Sequence, residues 1–179
     1  MAIKKIITVP NPVLKQKSKP VKSLSKKTKN LIKNLKDTLK ASSNPKGVGL
    51  SACQIGILKQ VFIIQTKDKI KVLINPKIIS LSKKTLKDKL AEEERPLEGC
   101  LSIPGIWGFV NRPVKVKVSF LNSAFEKKTE EFKGKEAICV QHEIDHLNGV
   151  LFTEKILKQK GKLYKLEENE KGEKVFVEL

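Results

Sequence analysis

The chain has 179 residues, 39% of them hydrophobic and 31% charged, which suits a folded protein with one core and excludes a disordered one. Its formal net charge of +18 is almost all lysine, since Arg95 and Arg112 are the only arginines among 37 basic residues. With aromatics at only 5% and not interleaved with the lysines, the charge does not read as specific DNA recognition, which relies on arginine forks and stacking rings; a compositional bias, or non-specific attraction to an RNA surface such as a ribosome, accounts for it.

In chain order, Pro10 and Pro12 interrupt any signal-like apolar segment at the N-terminus. Ser23 or Ser25 is placed to cap a helix running to about Ala41, with Leu31, Leu35 and Leu39 as its buried stripe, and Asn44-Pro45-Lys46-Gly47 to end it. Val61-Phe62-Ile63-Ile64 and Val72-Leu73-Ile74 are strand-type runs joined by a polar Lys/Asp turn, a predicted hairpin. Ile78 to Leu97 is Lys-rich and then acidic at Glu92-Glu93-Glu94, and reads as an exposed excursion. Val114 to Val118 alternates as a half-buried strand should. A helix is predicted over Lys135–Asn148, stopped by Gly149. The segment from Thr153 to Leu179 is highly charged, with room for a short helix and a Val175-Phe176-Val177 strand. The expected architecture is α+β, with short antiparallel strands around a central helix, in a single domain over residues 1–179 whose charged C-terminal segment starts at about 158.

No apolar run approaches the roughly eighteen residues of a membrane span. Cys53, Cys100 and Cys139 are an odd number in a chain without secretory features, so they read as reduced thiols of a cytoplasmic protein, at least one of them free to bind metal or react.

The central helix carries the chemistry. His142 and His146 are the only histidines in the chain, and four residues apart they stand about 40° apart around the helix, one turn above the other. They can share one metal ion, with Glu143 flanking it as a base for a bound water. For a third ligand, Cys139 is disfavoured: it lies seven residues, about 10 Å along the axis, from His146, whereas metal–ligand bonds are about 2.0–2.3 Å. Cys100 and a downstream glutamate, Glu154 or Glu167, remain as alternatives; the glutamate would make the site thermolysin-like.

Three segments together resemble peptide deformylases: Gly47-Val48-Gly49-Leu50-Ser51-Ala52-Cys53-Gln54, Glu98-Gly99-Cys100-Leu101-Ser102 and Gln141-His142-Glu143-Ile144-Asp145-His146. Pro10-Asn11-Pro12-Val13-Leu14 and Leu147 to Phe152 extend the likeness to roughly residues 1–157. The resemblance implies removal of the N-formyl group from the initiator methionine of nascent peptides. It implies that Cys100, His142 and His146 hold one divalent metal, commonly Fe²⁺, with Ni²⁺, Co²⁺ or Zn²⁺ able to take its place. It further implies Glu143 as acid/base, Gln54 and the Leu101 backbone N–H as oxyanion donors, and Gly49 as a partner of the substrate backbone. Val48, Ile138 and Cys139 are apolar positions near that site, either a lining for the methionine side chain or plain core. Glu98 and Arg112 are placed to form a supporting ion pair. Ser51 stands where the family usually has alanine, adding a hydroxyl that needs a partner. The excursion from Lys77 to Leu97 is longer than in many relatives, and the charged tail matches no motif.

Overall fold

A computed structural model describes residues 3–43, 47–67, 69–170 and 172–179. The run Val61 to Ile64 is apolar at every position because both faces of its strand are covered. Val61 and Ile63 pack with Leu31, Leu35 and Leu39 of helix α1 (Lys26–Ala41), while Phe62 and Ile64 pack with Val140, Ile144 and Leu147 of helix α2 (Gly134–Leu147). Ser25 caps α1, its hydroxyl accepting from the Thr28 N–H. The predicted stop at Asn44–Lys46 lies outside the described residues, as does Asp68 of the predicted turn; the helix itself closes with the Ser42 N–H on the Leu39 carbonyl.

The sheet between the helices has five strands, all paired antiparallel: β1 (Gly49–Ser51), β2 (Val61–Gln65), β3 (Ile70–Leu81), β6 (Lys115–Leu121) and β7 (Lys127–Lys133), in the order β1-β2-β3-β6-β7. β1 is therefore an edge strand. A second antiparallel sheet has the order β4-β5-β8-β9, from β4 (Glu98–Cys100), β5 (Ile103–Gly108), β8 (Leu163–Glu168) and β9 (Lys174–Glu178). Leu14, Ile103, Val110, Leu151, Phe152 and Ile156 form a third apolar cluster beneath it, Phe152 and Ile156 coming from helix α3 (Phe152–Lys158).

Two expectations are corrected. The segment from Ile78 is not all excursion: β3 runs to Leu81 and pairs with β6, Ile78 opposite Val118 and Leu81 opposite Val116. The period-two signal was hidden by register shifts between Ile74 and Lys77 and again between Ile78 and Ser80; Pro76, which has no N–H to donate, falls in the first of these gaps. Beyond the strand, Leu86 is buried, so the rest is also anchored. In the tail, the Val175–Val177 strand was legible, but β8 was not, because its Lys and Glu residues mask a single half-buried row of Tyr164 and Leu166.

α2 ends as its sequence predicts. Gly149 has φ +71, and a Cβ there would stand 2.4 Å from the Lys15 carbonyl oxygen, so a side chain is excluded by both conformation and space. No helix of the described residues is long and apolar enough to cross a membrane.

Candidate metal centre and active site

Two elements from different sheets meet the His142–His146 face of α2. β4 brings Cys100, and one ligand atom each from Cys100, His142 and His146 lie within 4.8 Å of one another, with Cys100 Sγ 3.2 Å from His146 Nε2. This is the one such cluster among the described residues. The other candidates for the third position are engaged elsewhere: Glu154 accepts from the Leu151 N–H and pairs with Lys15, and Glu167 pairs with Lys165 at 2.8 Å. Cys139 is outside the cluster, on the Gly49 side, where its thiol donates to the Val48 carbonyl at 3.5 Å.

The donor set fits a metal. His142 Nδ1–H donates to Glu98 Oε2 at 2.9 Å, which fixes the ring and leaves Nε2 as its available ligand atom. Glu98 is itself held by Arg112 through Nε at 2.5 Å and Nη2 at 2.9 Å, and Arg112 Nη1 reaches Asp145 at 2.8 Å. Burial opposes the charge on Glu98, but the Arg112 and His142 contacts outweigh it and keep the carboxyl below its ordinary range. Burial likewise opposes charge on the His142 ring, yet Cys100 and Glu98 outweigh it and raise its pKa well above normal. His146 goes the other way: burial, then the nearby His142 and Arg112 charges, push it well below normal and favour the neutral imidazole a metal requires. One thiol and two imidazoles form a borderline-soft set suited to Fe²⁺ or Zn²⁺ and leave positions for water and substrate.

Glu143 is 3% exposed, and Ser51 Oγ donates to its Oε2 at 2.5 Å. Burial raises its pKa, with His142, the Ser51 hydroxyl and Arg112 pulling the other way. The result is a buried, oriented carboxyl suited to proton transfer. Gln54 is locked at both ends of its amide: Oε1 accepts from the Ser51 N–H at 2.8 Å, and Nε2 reaches Ser102 Oγ at 3.1 Å and Cys100 Sγ at 3.6 Å. Leu101 lies in the two-residue turn between β4 and β5, beside the thiol.

Part of this arrangement opens on one cavity of about 590 Å³, in the range of small-ligand sites, with His146, Ser51 and Arg112 set back from its wall. Gly49, Gln54, Cys100, Leu101, His142 and Glu143 line it. Val48, Ile138 and Cys139 line it too, and Cys139 also packs against the core beneath α2. Sequence reasoning missed Leu97 and Trp107 in the lining, the Ser102 contact to Gln54, and the partner of the Ser51 hydroxyl. A lone tryptophan seven residues after Cys100 was the available signal for one of these.

The polypeptide deformylase family model matches residues 3–162. The chain belongs to the peptide deformylase family. It is 44% identical over 156 residues to the peptide deformylase of Natranaerobius thermophilus, covering 87% of this chain and 93% of that one. It is 41% identical to that of Carboxydothermus hydrogenoformans, over 87% and 94% of the two chains. Among solved structures, the Thermotoga maritima peptide deformylase superposes with a TM-score of 0.77 at 33% identity, covering 87% of this chain and 98% of that one. The Ehrlichia chaffeensis peptide deformylase, in complex with actinonin, gives 0.79 at 30%, covering 89% and 92%. The α+β architecture is that of these deformylases. The activity is accordingly the family's: metal-dependent hydrolysis that removes the N-formyl group from the formyl-methionine of nascent polypeptides and releases formate.

Proposed function

We propose that Cys100, His142 and His146 hold the metal of this deformylase, and that the metal is Fe²⁺ in the cell, with Ni²⁺, Co²⁺ or Zn²⁺ able to replace it. The observation that carries the reading is the convergence of the three donor atoms within 4.8 Å beside the buried, Ser51-held carboxylate of Glu143. When bound, a divalent ion there supplies Lewis acidity and a hydroxide-strength nucleophile at neutral pH.

The remaining steps belong to side chains of this chain. Glu143 takes the proton of the attacking water and delivers it to the departing amine, so that the formyl C–N bond breaks and formate and a free N-terminus are left. Gln54 Nε2 and the Leu101 N–H stabilise the negative charge that develops on the formyl oxygen, each donor worth about 2.7–4 kcal/mol of barrier. The Ser51 N–H on Oε1 orients the Gln54 amide for this role, and Nε2, whose two hydrogens point to Ser102 and Cys100 in the free site, gives up one of these contacts to the formyl oxygen. Gly49 hydrogen-bonds the substrate backbone, which is reasonable for a residue on an edge strand with free pairing positions facing the cavity. Val48, Ile138 and Cys139 receive the methionine side chain.

The test is formate release from a formyl-Met peptide with metal analysis of the same anaerobically purified sample. Cys100→Ser loses the metal or changes its identity, and Glu143→Ala keeps the metal and loses turnover. Full activity in Cys100→Ser removes the ligand assignment, and no formate from Fe²⁺-, Ni²⁺- or Co²⁺-loaded protein removes the function.

We also infer that residues 1–179 act as one cytoplasmic catalytic domain, and that its lysine excess draws it to the ribosome surface where nascent chains emerge. Ribosome co-sedimentation that does not weaken with salt removes this attraction, and equal co-sedimentation of intact and tail-truncated chains across several salt concentrations removes any contribution of the charged tail.

A further inference from the structure

The paired strands of the C-terminal hairpin, β8 and β9, lie beyond the stretch matched by the family model, yet through β5 they are joined to β4, which carries Cys100. β8 pairs with β5, Trp107 opposite Tyr164, and β5 pairs with β4, Trp107 opposite Gly99. Residues opposite one another share a face of a sheet, so Trp107, Tyr164 and, two positions along, Leu166 with its partner Phe176 stand on the same side.

The Trp107 ring lies flat across Gly99, the neighbour of Cys100: a Cβ at position 99 would stand 2.8 Å from Trp107 Cε3 and Cζ3. The ring is thereby brought into the wall of the cavity that holds His142 and Glu143. Its remaining aromatic neighbour is Phe176 of β9, edge-on at 5.9 Å between centroids and 67° between planes. Phe176 does not line the cavity and is 48% exposed, so the core gains little from it. Its ring contact is with the indole.

An extended peptide alternates its side chains between two sides. With the methionine given to Val48, Ile138 and Cys139, the lining left for the next side chain includes Leu97, just before β4, and Gly99 and Trp107 of the second sheet. We propose that the C-terminal hairpin sets the preference of this enzyme for the second residue of its substrate: Phe176 positions the Trp107 ring, and Trp107 is the surface on which an apolar or aromatic second side chain packs. The proposal rests on the deformylase reading of the site, but its test separates the two.

Trp107 is the only tryptophan, so its emission reports on this wall directly. Metal-loaded full-length protein carrying Glu143→Gln, which does not consume substrate, is titrated with formyl-Met-Phe and formyl-Met-Gly. The Phe peptide shifts the emission and binds more tightly than the Gly peptide. Adding Phe176→Ala weakens the Phe peptide about three- to tenfold relative to the Gly peptide, the size of one aromatic edge contact, and Phe176→Tyr restores the difference. In the otherwise native enzyme the same variant lowers the Phe-to-Gly ratio of kcat/KM by a similar factor, carried by KM. Equal loss for both peptides, or no loss, overturns the proposal, the former marking the hairpin as structural only. Protein that shows the binding preference but releases no formate in its native sequence rejects the deformylase reading and leaves the hairpin assignment standing. Protein that releases formate with an unaltered ratio in Phe176→Ala rejects the hairpin alone.

Discussion

The Ser51 hydroxyl donates to the Glu143 carboxylate at 2.5 Å, across 92 residues of sequence, with both side chains buried. A hydrogen bond to a buried charged group is worth about 1.5–3 kcal/mol. Ser51→Ala is therefore expected to lower the unfolding free energy by about that amount at neutral pH, read from the urea midpoint. Formate release in this variant persists, in contrast to Glu143→Ala. An unchanged midpoint would show that the hydroxyl is not held by the carboxylate.

Gly49 is required by space. A Cβ there would stand 2.5 Å from Glu143 Oε1 and 2.8 Å from Cys139 Sγ. Gly49→Ala must push the Glu143 carboxyl aside, and for the proposed base a displacement near 1 Å costs about 10²-fold in rate. The loss should appear in kcat while metal content stays at the wild-type level. A Gly49→Ala enzyme with wild-type kcat would mean that Glu143 tolerates displacement and is not the positioned base.

Glu98 links the buried Arg112 to the His142 ring. Glu98→Ala removes the partner that orients His142, the proposed ligand, and loss of such a partner typically weakens metal affinity about 10–100-fold. It also leaves Arg112 with Asp145 alone, a loss at the lower end of the about 3–5 kcal/mol seen when a buried ion pair is broken. Competition with a chelator measures the first and thermal unfolding the second. Wild-type metal affinity in a folded Glu98→Ala protein would rule out the orienting role.

The Cys53 thiol is pushed up from 9.0 to about 12, by burial first and then by the Glu143 and Cys100 charges. Unfolded, it ionises near its ordinary value; folded, it stays neutral. Between those values the folded state holds the extra proton, so stability from this group is complete below pH 9 and falls as pH rises toward 12. The stability gap between wild type and Cys53→Ala should thus narrow over that interval in urea titrations. A gap that is constant or widening would contradict the buried neutral thiol. In native protein at pH 8 the same residue should be silent toward thiol reagents.

Much of the site was legible because its signals are local. Two histidines at helical spacing imply a shared ligand position whatever surrounds the helix. A cap at Ser23 or Ser25, of which the fold uses Ser25, the stripe Leu31-Leu35-Leu39 and the stop at Gly149 follow from the chain's own periodicity and turn chemistry. Cys100 was different: residue geometry left it open against Glu154 and Glu167, and the motif likeness, not spacing, favoured it. The long reach of β3 was missed because bulges break the alternation on which strand reading depends. β8 was missed because an edge hairpin needs few buried side chains and so leaves a weak pattern.

By itself, then, the sequence determined the helix that carries both imidazoles and the adjacent carboxyl, the apolar runs of the central sheet, and a likeness sufficient to place the chemistry. Only the tertiary structure decided which thiol lies beside the histidines, what the Ser51 hydroxyl holds, and that Phe176 of the tail stands against Trp107. The division is physical. Periodicity, caps and turns depend on neighbours within a few residues, whereas a metal site, a buried hydrogen bond and an aromatic contact depend on atoms brought together from distant segments by packing.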